Sequence, residues 1–362
     1  MKKIALFLSI AAALSGCCDR NSGISFQKSD SIDGLTRLTS SIELVPLESD
    51  NTHLLEADPD LFLLGKDYIT VDITNHRIYR YSSDGKFLNS IGAKGNGPGE
   101  YANIADVQIT GDTVFVFSGQ GKMAEYDPEG TLISSSDIQN SEGLQSYIVE
   151  NGILTYYGYG IVKDYRMIYR KDGISKKFLD NDAKIMHFIS FLPIFSKTSD
   201  GGVAILDSYN PVIYKFKSGK IKPYLKFDFG KYAIQEAFFK YDDDSKAMQF
   251  LLSTDFALMN RYFENAEYKF AEITTQSKDN TEFSYGLAKN DSWKWFYAGK
   301  AGKDPFATSF KTIDDHNTLF CIIDPALADK IPPALMKKVS NPDIIKNIKK
   351  DDNYIIAKIH LL

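Results

Sequence analysis

Short runs of β-branched and aromatic residues, separated by turn residues, dominate the first two thirds of the chain. Residues 67–101 show the pattern most clearly, because the runs YITVD (68–72), RIYRY (77–81) and KFLNSI (86–91) each favour a β-strand. Asp84-Gly85 lies between the second and third runs and favours a tight hairpin turn, since glycine adopts positive φ at no steric cost. This stretch predicts an antiparallel sheet followed by a glycine-rich connection.

The hairpin turn recurs along the chain. The turn glycines Gly85, Gly130, Gly173 and Gly219 lie 45, 43 and 46 residues apart. A period of roughly 40–50 residues with about four strands per unit is typical of propeller blades, which pack radially because one blade cannot bury both of its faces. We therefore predict an all-β fold, a six-bladed β-propeller. Four chance hairpins in an ordinary β-sandwich are the alternative.

Two stretches interrupt the strand pattern. Residues 232–265 carry apolar side chains at helical spacing, and residues 325–350 carry prolines and short apolar clusters, so both are predicted to be helical insertions. Residues 41–47 and 353–362 are strand-like, and we expect these two ends to pair in one sheet and close the ring. The propeller domain is then predicted to span residues 41–362, with blades at about 59–91, 102–135, 144–179, 187–229 and 267–297, and a sixth that starts near 306.

The N-terminus has the features of a secretory signal. A short basic segment precedes an apolar run at residues 4–13, which is too short for a stable transmembrane helix. Residues 14–17 (LSGC) resemble the bacterial lipobox, in which the cysteine is lipidated and becomes the first residue of the mature protein. We predict a lipoprotein signal peptide at residues 1–16, lipidation of Cys17 and a polar tether at residues 17–40. An ordinary secretory signal with an incidental cysteine is the alternative.

Composition excludes several classes of protein. The chain has 362 residues, 43% of them hydrophobic, and only three cysteines, so its core rather than a disulfide framework must stabilise it. The net charge of -5 argues against a general nucleic-acid binder, which normally presents a basic face. We expect a monomeric domain.

The segment IGAKGNGPGEY (91–101), together with DGKF (84–87) before it and VPLE (45–48) near the N-terminus, resembles the six-bladed β-propeller lipoproteins of Bacteroides-type bacteria, whose repeats are similar to NHL repeats. The resemblance covers nearly the whole mature chain. It implies a cell-envelope lipoprotein, anchored by lipid and expected at the outer membrane, with its periplasmic or surface orientation left open. The resemblance supplies no catalytic residue.

The glycine-rich segment is one candidate for ligand binding. Backbone N–H groups in such a loop can hold an anion, but no Walker motif is present. The alternative is a crossover between blades, in which the glycines allow a steep turn. If the segment binds a ligand, its polar and aromatic candidates are Lys94, Asn96, Glu100 and Tyr101.

Aromatic residues are the other candidates. Tyr157, Tyr159 and Trp295 lie in dense aromatic stretches, and exposed aromatic rings stack on sugars or peptide side chains. The alternative is that these rings fill the core between blades. The five histidines show no close ligand spacing and there is no Gly-x-Ser-x-Gly motif, so we assign no catalytic residue, no metal ligand and no cofactor.

Two main hypotheses of function follow. The first is a noncatalytic propeller that binds a glycan, a peptide or a partner envelope protein through the loops of one face. The second is a metal-dependent hydrolase or lyase with a site in the propeller channel. A purely structural role, which predicts a large exposed apolar patch on the insertions, is a third.

Overall fold

Six four-stranded antiparallel sheets are arranged as the blades of a β-propeller, which confirms the predicted fold. The computed structural model describes residues 23–29, 31–56, 58–119, 121–138, 143, 145–159, 164–181, 193–207, 209–278 and 280–362. The predicted signal peptide and Cys17 lie outside these residues. In each blade the first strand lies at the channel and the fourth at the outer rim.

The first half of the chain builds the N-terminal segment and blades one to three. The N-terminal segment contains β1 (Ile24–Ser25), α1 (Asp33–Leu38) and β2 (Thr39–Pro46). Blade one contains β3 (Asp60–Leu64), β4 (Asp67–Asp72), β5 (Arg77–Tyr81) and β6 (Phe87–Ser90), and the crossover after it contains β7 (Ala93–Lys94) and β8 (Glu100–Tyr101). Blade two contains β9 (Asp106–Thr110), β10 (Thr113–Phe117), β11 (Lys122–Tyr126) and β12 (Leu132–Asp137). Blade three contains β13 (Gln145–Val149), β14 (Gly152–Tyr156), β15 (Tyr165–Lys171) and β16 (Ile174–Asp180).

The second half builds blades four to six and the helical insertions. Blade four contains β17 (Phe195–Lys197), β18 (Val203–Leu206), β19 (Val212–Lys217) and β20 (Lys220–Asp228); the 3₁₀ turns Gly230–Tyr232 and Glu236–Lys240 and helix α2 (Asp244–Leu252) follow. Blade five contains β21 (Phe256–Glu264), β22 (Tyr268–Ser277), β23 (Asn280–Lys289) and β24 (Ser292–Gly299). Blade six contains β25 (Phe310–Ile313), β26 (Thr318–Ile323) and β27 (Ile355–Leu361), and between the last two lie the 3₁₀ helices Pro325–Lys330 and Pro342–Asn347 and helix α3 (Pro333–Met336).

The ring closes through its two termini, as the sequence predicts. Strand β2 pairs antiparallel with β27, with Ile42 opposite Ile359 and Leu44 opposite Ala357. Ile42 and Ile359 are fully buried, so the register is set by apolar side chains that face the neighbouring blades. The N-terminal strand β2 is therefore the outer strand of the C-terminal blade, blade six.

Two of the recurring turn glycines lie against the backbone of the blade before their own. Gly130 has φ of +83°, and a Cβ atom there would lie 2.1 Å from the carbonyl oxygen of Ser90 in blade one. Gly85 has φ of +86°, and its Cβ would lie 2.1 Å from the carbonyl oxygen of Pro46 in blade six. Only glycine satisfies both the positive φ and the close backbone contact.

The hydrophobic core lies between neighbouring blades. Ile69 and Ile78 of blade one pack with Val114 and Tyr126 of blade two in one buried cluster. Comparable clusters join blades three and four, four and five, five and six, and six and one. At these five junctions the sheets bury their faces against one another, which explains why the blades need the closed ring.

The first helical insertion is shorter than predicted. Residues 232–265 were expected to be helical, but α2 ends at Leu252 and Phe256–Glu264 forms β21, the innermost strand of blade five. Eight of the nine residues of β21 are buried, the polar Asn260, Arg261 and Glu264 among them, so apolar and polar side chains do not alternate along the strand. A segment without that alternation cannot be told from a buried helix by its pattern alone, which accounts for the error.

The predicted tether is part of the folded domain from residue 23 onward. Strand β1 adds to the outer edge of blade four by parallel pairing with β20, and Leu35 of α1 is fully buried in the core of blades five and six. Lys28 forms an ion pair of 2.5 Å with Glu282 of blade five. We call residues 23–38 the strap. It reaches from blade four across blade five to β2, and the domain therefore begins before the predicted residue 41.

The second insertion, predicted at residues 325–350, is confirmed as a series of short helices. It covers the outer edge of blade six. Val339 forms a bridge with Ile42, and the Asn341 side chain mimics a strand by accepting from the Leu44 N–H and donating to the Leu44 carbonyl. This cover protects an edge strand that would otherwise expose unpaired backbone groups.

Candidate binding end of the propeller

The two ends of the propeller are built differently. Among the described residues, one end carries the tight turns within blades, such as residues 65–66, 111–112 and 218–219, and we call it the hairpin end. The other carries the long connections between blades, including residues 47–59, 91–105 and 229–255, and we call it the loop end. Because many loops converge there on a rigid scaffold, the loop end is where the fold can build a binding site.

Charged side chains gather where the innermost strands begin at the loop end. Arg261 of β21 lies 3.0 Å from Asp60 at the start of β3, so this ion pair joins blade five to blade one. Lys311 of β25 lies 2.5 Å from Asp58, and its own side chain is fully buried while the Asp58 side chain is half exposed. Ionised groups are costly to remove from water, so their concentration around the channel is a feature that fold stability alone does not require.

Two further carboxyl groups lie beside these pairs. Burial raises the pKa of Asp106 well above its usual value and the neighbouring Asp60 carboxylate adds to the effect, while a hydrogen bond from the Val107 N–H opposes it. Asp106 is half-buried at the start of β9, the innermost strand of blade two. Burial also raises the pKa of Glu272, whose Oε2 has no hydrogen-bond partner among the described residues. Acids thus outnumber bases around this channel mouth.

An aromatic cluster lies in the insertion between blades four and five, at the loop end. The insertion between blades four and five packs on Phe238, which is fully buried and contacts Tyr209 and Phe239 at ring distances of 5.7 and 5.1 Å. Tyr209 and Phe239 remain half-buried, as does Leu258 of the innermost strand β21, which packs against the same cluster. The loop end therefore carries apolar ring faces as well as charged groups.

A buried ion pair holds two loops of this end together. Asp207, which is fully buried, lies 3.4 Å from Arg166 and accepts hydrogen bonds from the hydroxyls of Tyr156 at 2.7 Å and Tyr159 at 3.4 Å. Burial raises the pKa of Asp207, and the charge of Arg166 opposes that shift. Sequence reasoning did not identify Asp207 or Arg166, because their pairing connects loops of different blades and leaves no local motif.

The glycine-rich segment connects β6 of blade one to β9 of blade two, so it is a crossover between blades as the alternative proposed. Lys94, Asn96 and Glu100 are exposed at the loop end. The Glu100 carboxylate folds back and accepts the Gly97 N–H at 2.8 Å, so it occupies the place that a bound anion would take. Tyr101 is buried, and its hydroxyl donates to the Ile91 carbonyl oxygen at 3.2 Å.

The predicted aromatic candidates are not exposed platforms. Tyr157 is buried with 1% of its surface exposed, and its hydroxyl accepts from Arg170 at 3.0 Å. Tyr159 is buried against Asp207 and Arg166. Trp295 lies on the outer strand of blade five, where its ring packs edge-on against Phe26 of the strap at 5.0 Å and its Nε1–H donates to the Ser25 carbonyl. These three rings are thus used in packing and lie apart from Lys94, Asn96 and Glu100.

No group of three or more His, Cys, Asp or Glu side chains in the described part of the chain is arranged to hold a metal ion. Cys321 is buried in β26, and burial raises the pKa of its thiol well above the usual value.

Comparison with known proteins places the chain in a family. The sequence profile of a domain of unknown function, DUF4934, matches residues 24–360. The chain belongs to the DUF4934 family. The match starts at β1, so the strap is part of the DUF4934 domain, in agreement with its packing.

Solved structures share the DUF4934 fold at low sequence identity. A protein of Bacteroides fragilis NCTC 9343, named as exported, is 14% identical with a TM-score of 0.74, over 94% of this chain and 99% of that one. A member of the DUF4221 family from Bacteroides vulgatus ATCC 8482 is 11% identical with a TM-score of 0.54, over 90% and 99% of the two chains. These similarities establish the fold alone.

No curated protein matches the sequence of this DUF4934 chain. Among its described helices, none is both long and apolar enough to cross a bilayer.

Proposed function

We propose that this DUF4934 protein is an exported, noncatalytic binding module of the cell envelope that holds its ligand at the loop end of the propeller channel. The observation that carries the proposal is the set of charged side chains at the channel mouth, where burial raises the pKa of Asp106 and Glu272 and where Glu272 Oε2 has no hydrogen-bond partner among the described residues. A buried polar group without a hydrogen-bond partner destabilises the fold unless a ligand supplies that partner. Such a group therefore indicates a binding site more strongly than a satisfied ion pair does.

The chemistry of this end favours an oligosaccharide or a peptide. Tyr209 and Phe239 provide ring faces that stack on sugars or cover apolar side chains. Asp58, which is half exposed, and the shielded Asp106 provide oxygen atoms that pair with hydroxyl, amide or amine groups. A partner envelope protein would present the same groups on a loop or a chain end.

The proposed location rests on the N-terminus and on one structural neighbour. Residues 14–17 (LSGC) support lipidation of Cys17 and anchoring at the outer membrane. The Bacteroides fragilis protein of the same fold is named as exported. Because the described chain starts only six residues after Cys17, the anchor and the domain would be close together.

A thermal-shift screen tests the proposed activity. The chain from Cys17 onward, which contains every described residue, is mixed with oligosaccharides, with peptides and with divalent cations in separate panels. A ligand at a hundredfold excess over its Kd stabilises the fold by about 2.7 kcal/mol. We expect a clear shift with an oligosaccharide or a peptide, and we expect Asp58→Asn to reduce it while Asp112→Asn, an exposed acid in a turn at the hairpin end, leaves it unchanged.

Two outcomes would contradict the binding proposal. A shift with a divalent cation alone would favour the metal-dependent hydrolase or lyase. A shift that Asp58→Asn and Asp112→Asn affect equally would place the ligand away from the channel mouth.

A further inference from the structure

At the hairpin end of blade four, lysines lie directly opposite lysines on neighbouring strands. In the β19–β20 hairpin, Lys215 lies opposite Lys222 and Lys217 lies opposite Lys220. Like charges at directly opposed positions of a sheet destabilise it. Two such pairs in succession are unexpected in a chain whose net charge is -5.

Few acids neutralise these lysines. Asp200 lies 3.0 Å from Lys215 and 3.1 Å from Lys217. A hydrogen bond from Thr198 is the largest cause that lowers the pKa of the Asp200 carboxyl, and the two lysines lower it further. Glu150 accepts the backbone N–H groups of Ser218 and Gly219 in the turn itself. Lys220 and Lys222 are exposed, and within the described residues neither forms an ion pair.

The adjacent edge of blade three extends the positive surface. The Lys176 ammonium lies 3.4 Å from the position that a Cβ atom of Gly219 would take, so it adjoins the turn of blade four. Ile174, two residues earlier on the same outer strand, has 64% of its surface exposed, the largest value among the exposed large apolar side chains of the described residues. We call Lys176, Lys215, Lys217, Lys220 and Lys222 the basic corner.

The strap begins on the outer edge of blade four, the blade that carries most of the basic corner. Strand β1 runs parallel to β20, with Ile24 beside Phe227 and Ser25 beside Asp228. Because β20 runs from the hairpin end to the loop end, β1 also points toward the loop end, and Gly23 lies beside the Lys226 carbonyl. Six residues separate Gly23 from Cys17 and span at most about 20 Å when extended. That reach equals the length of β20 from Lys226 back to Lys220, since strands rise about 3.3 Å per residue.

We propose that the basic corner rests on an anionic lipid surface beside the lipid anchor. This inference depends on the proposed lipidation of Cys17. Lysines near a membrane that contains anionic lipids attract it in an additive, salt-dependent way, and Ile174 is placed to enter the headgroup region. The contact holds the hairpin end against the membrane. The loop end then points away from the bilayer, where its channel mouth is open to a ligand.

Vesicle cosedimentation tests the basic corner without the lipid anchor. The unlipidated chain from Cys17 onward is mixed with vesicles of phosphatidylcholine alone or with about one third phosphatidylglycerol. We expect binding to the anionic vesicles only, and its loss at about 1 M salt, where the Debye length is about 3 Å. Lys220→Glu/Lys222→Glu is expected to weaken the binding at least about 30-fold, because each lysine near the surface contributes about a factor of five.

The control is Lys349→Glu/Lys350→Glu, which makes the same change of charge at two exposed lysines of blade six. It is expected to bind the anionic vesicles as the unchanged chain does. Equal weakening by both double variants, or equal binding of the unchanged chain to neutral and anionic vesicles, would overturn the proposal.

The anchor is tested separately by mass spectrometry of the mature N-terminus. A lipidated chain whose unlipidated form ignores anionic vesicles would refute the basic corner and leave the anchor intact. An unlipidated natural N-terminus on a chain that still binds such vesicles through Lys220 and Lys222 would refute the anchor alone.

Discussion

Asp207 illustrates how single residues position the loop end. Its carboxylate lies in the protein interior and binds Arg166, Tyr156 and Tyr159. These partners come from the second and third strands of blade three and the loop that joins them, whereas Asp207 follows the second strand of blade four. One acid therefore fixes two loops relative to each other, and the fold depends on its charge because Arg166 is buried with it.

Replacing Asp207 should be strongly destabilising. Asp207→Asn leaves the Arg166 guanidinium buried without a countercharge, and breaking a buried pair in this way costs about 3–5 kcal/mol. The free energy of unfolding in urea measures the loss. Asp164→Asn removes an exposed partner of Lys177 and should cost less than about 1 kcal/mol. Similar losses for the two variants would contradict a stabilising role for the buried pair.

Asp106 should reduce stability at neutral pH. Burial and the nearby Asp60 raise its pKa above the usual value of 3.8. Above the raised pKa the folded state must carry the desolvated charge, whereas below the usual value the carboxyl is protonated in both the folded and unfolded states. Asp106→Asn should therefore raise the free energy of unfolding at neutral pH. The gain should shrink as the pH falls through the raised pKa and vanish below about 3.8.

Unfolding curves at several pH values measure this difference. A gain that stays constant down to acid pH, or a loss at neutral pH, would show that the charge of Asp106 is satisfied within the fold.

At the scale of elements, the turns at Gly85 and Gly130 contact the blade before their own. Gly130→Ala places a Cβ atom against the Ser90 carbonyl at a positive φ, whereas Gly173→Ala has the same kind of φ but open space around it. We expect Gly173→Ala to lower the free energy of unfolding by about 1–2 kcal/mol, because alanine disfavours the left-handed conformation. Gly130→Ala should lower it by more, because its Cβ atom also meets the Ser90 carbonyl. Thermal unfolding of both variants gives the comparison, and equal losses would show that the inter-blade contact is unimportant.

The strap should contribute to stability as a core element does. Leu35→Ala removes a fully buried side chain from the cluster of blades five and six and should cost about 2–5 kcal/mol. Leu252→Ala removes a leucine with 52% of its surface exposed and should change stability by no more than about 0.5 kcal/mol. Urea unfolding measures both. A negligible loss of unfolding free energy for Leu35→Ala would show that the strap is a tether that does not stabilise the domain.

The sequence predicted the elements whose signal is local. Turn glycines such as Gly85 and Gly130 revealed the repeat, because each turn requires a positive φ. Strand β21 was missed, because both of its faces are buried and its pattern does not alternate. The roles of Tyr159 and Trp295 were also inaccessible, because the first depends on Asp207, 48 residues away, and the second on Ser25, 270 residues away. Contacts of that kind belong to the tertiary fold.

At the scale of the whole molecule, the ring is rigid and its two ends are unequal. Blades packed face to face leave the loop end as the surface on which connections of different length meet, while the described turns within blades at the hairpin end are short. The channel mouth, with Asp58, Asp106 and the half-buried Tyr209, is at the loop end. The basic corner is at the hairpin end of blade four. This polarity is the central claim about how the protein works.

Hydrogen exchange measures that polarity most directly. Backbone exchange of the chain from Cys17 onward is followed with and without the oligosaccharide or peptide that gives the largest thermal shift. We predict slower exchange in residues 47–59, 91–105 and 229–255, the long connections around the channel mouth. Protection confined to the tight turns, such as residues 111–112 and 218–219, would contradict the account and assign ligand binding to the hairpin end.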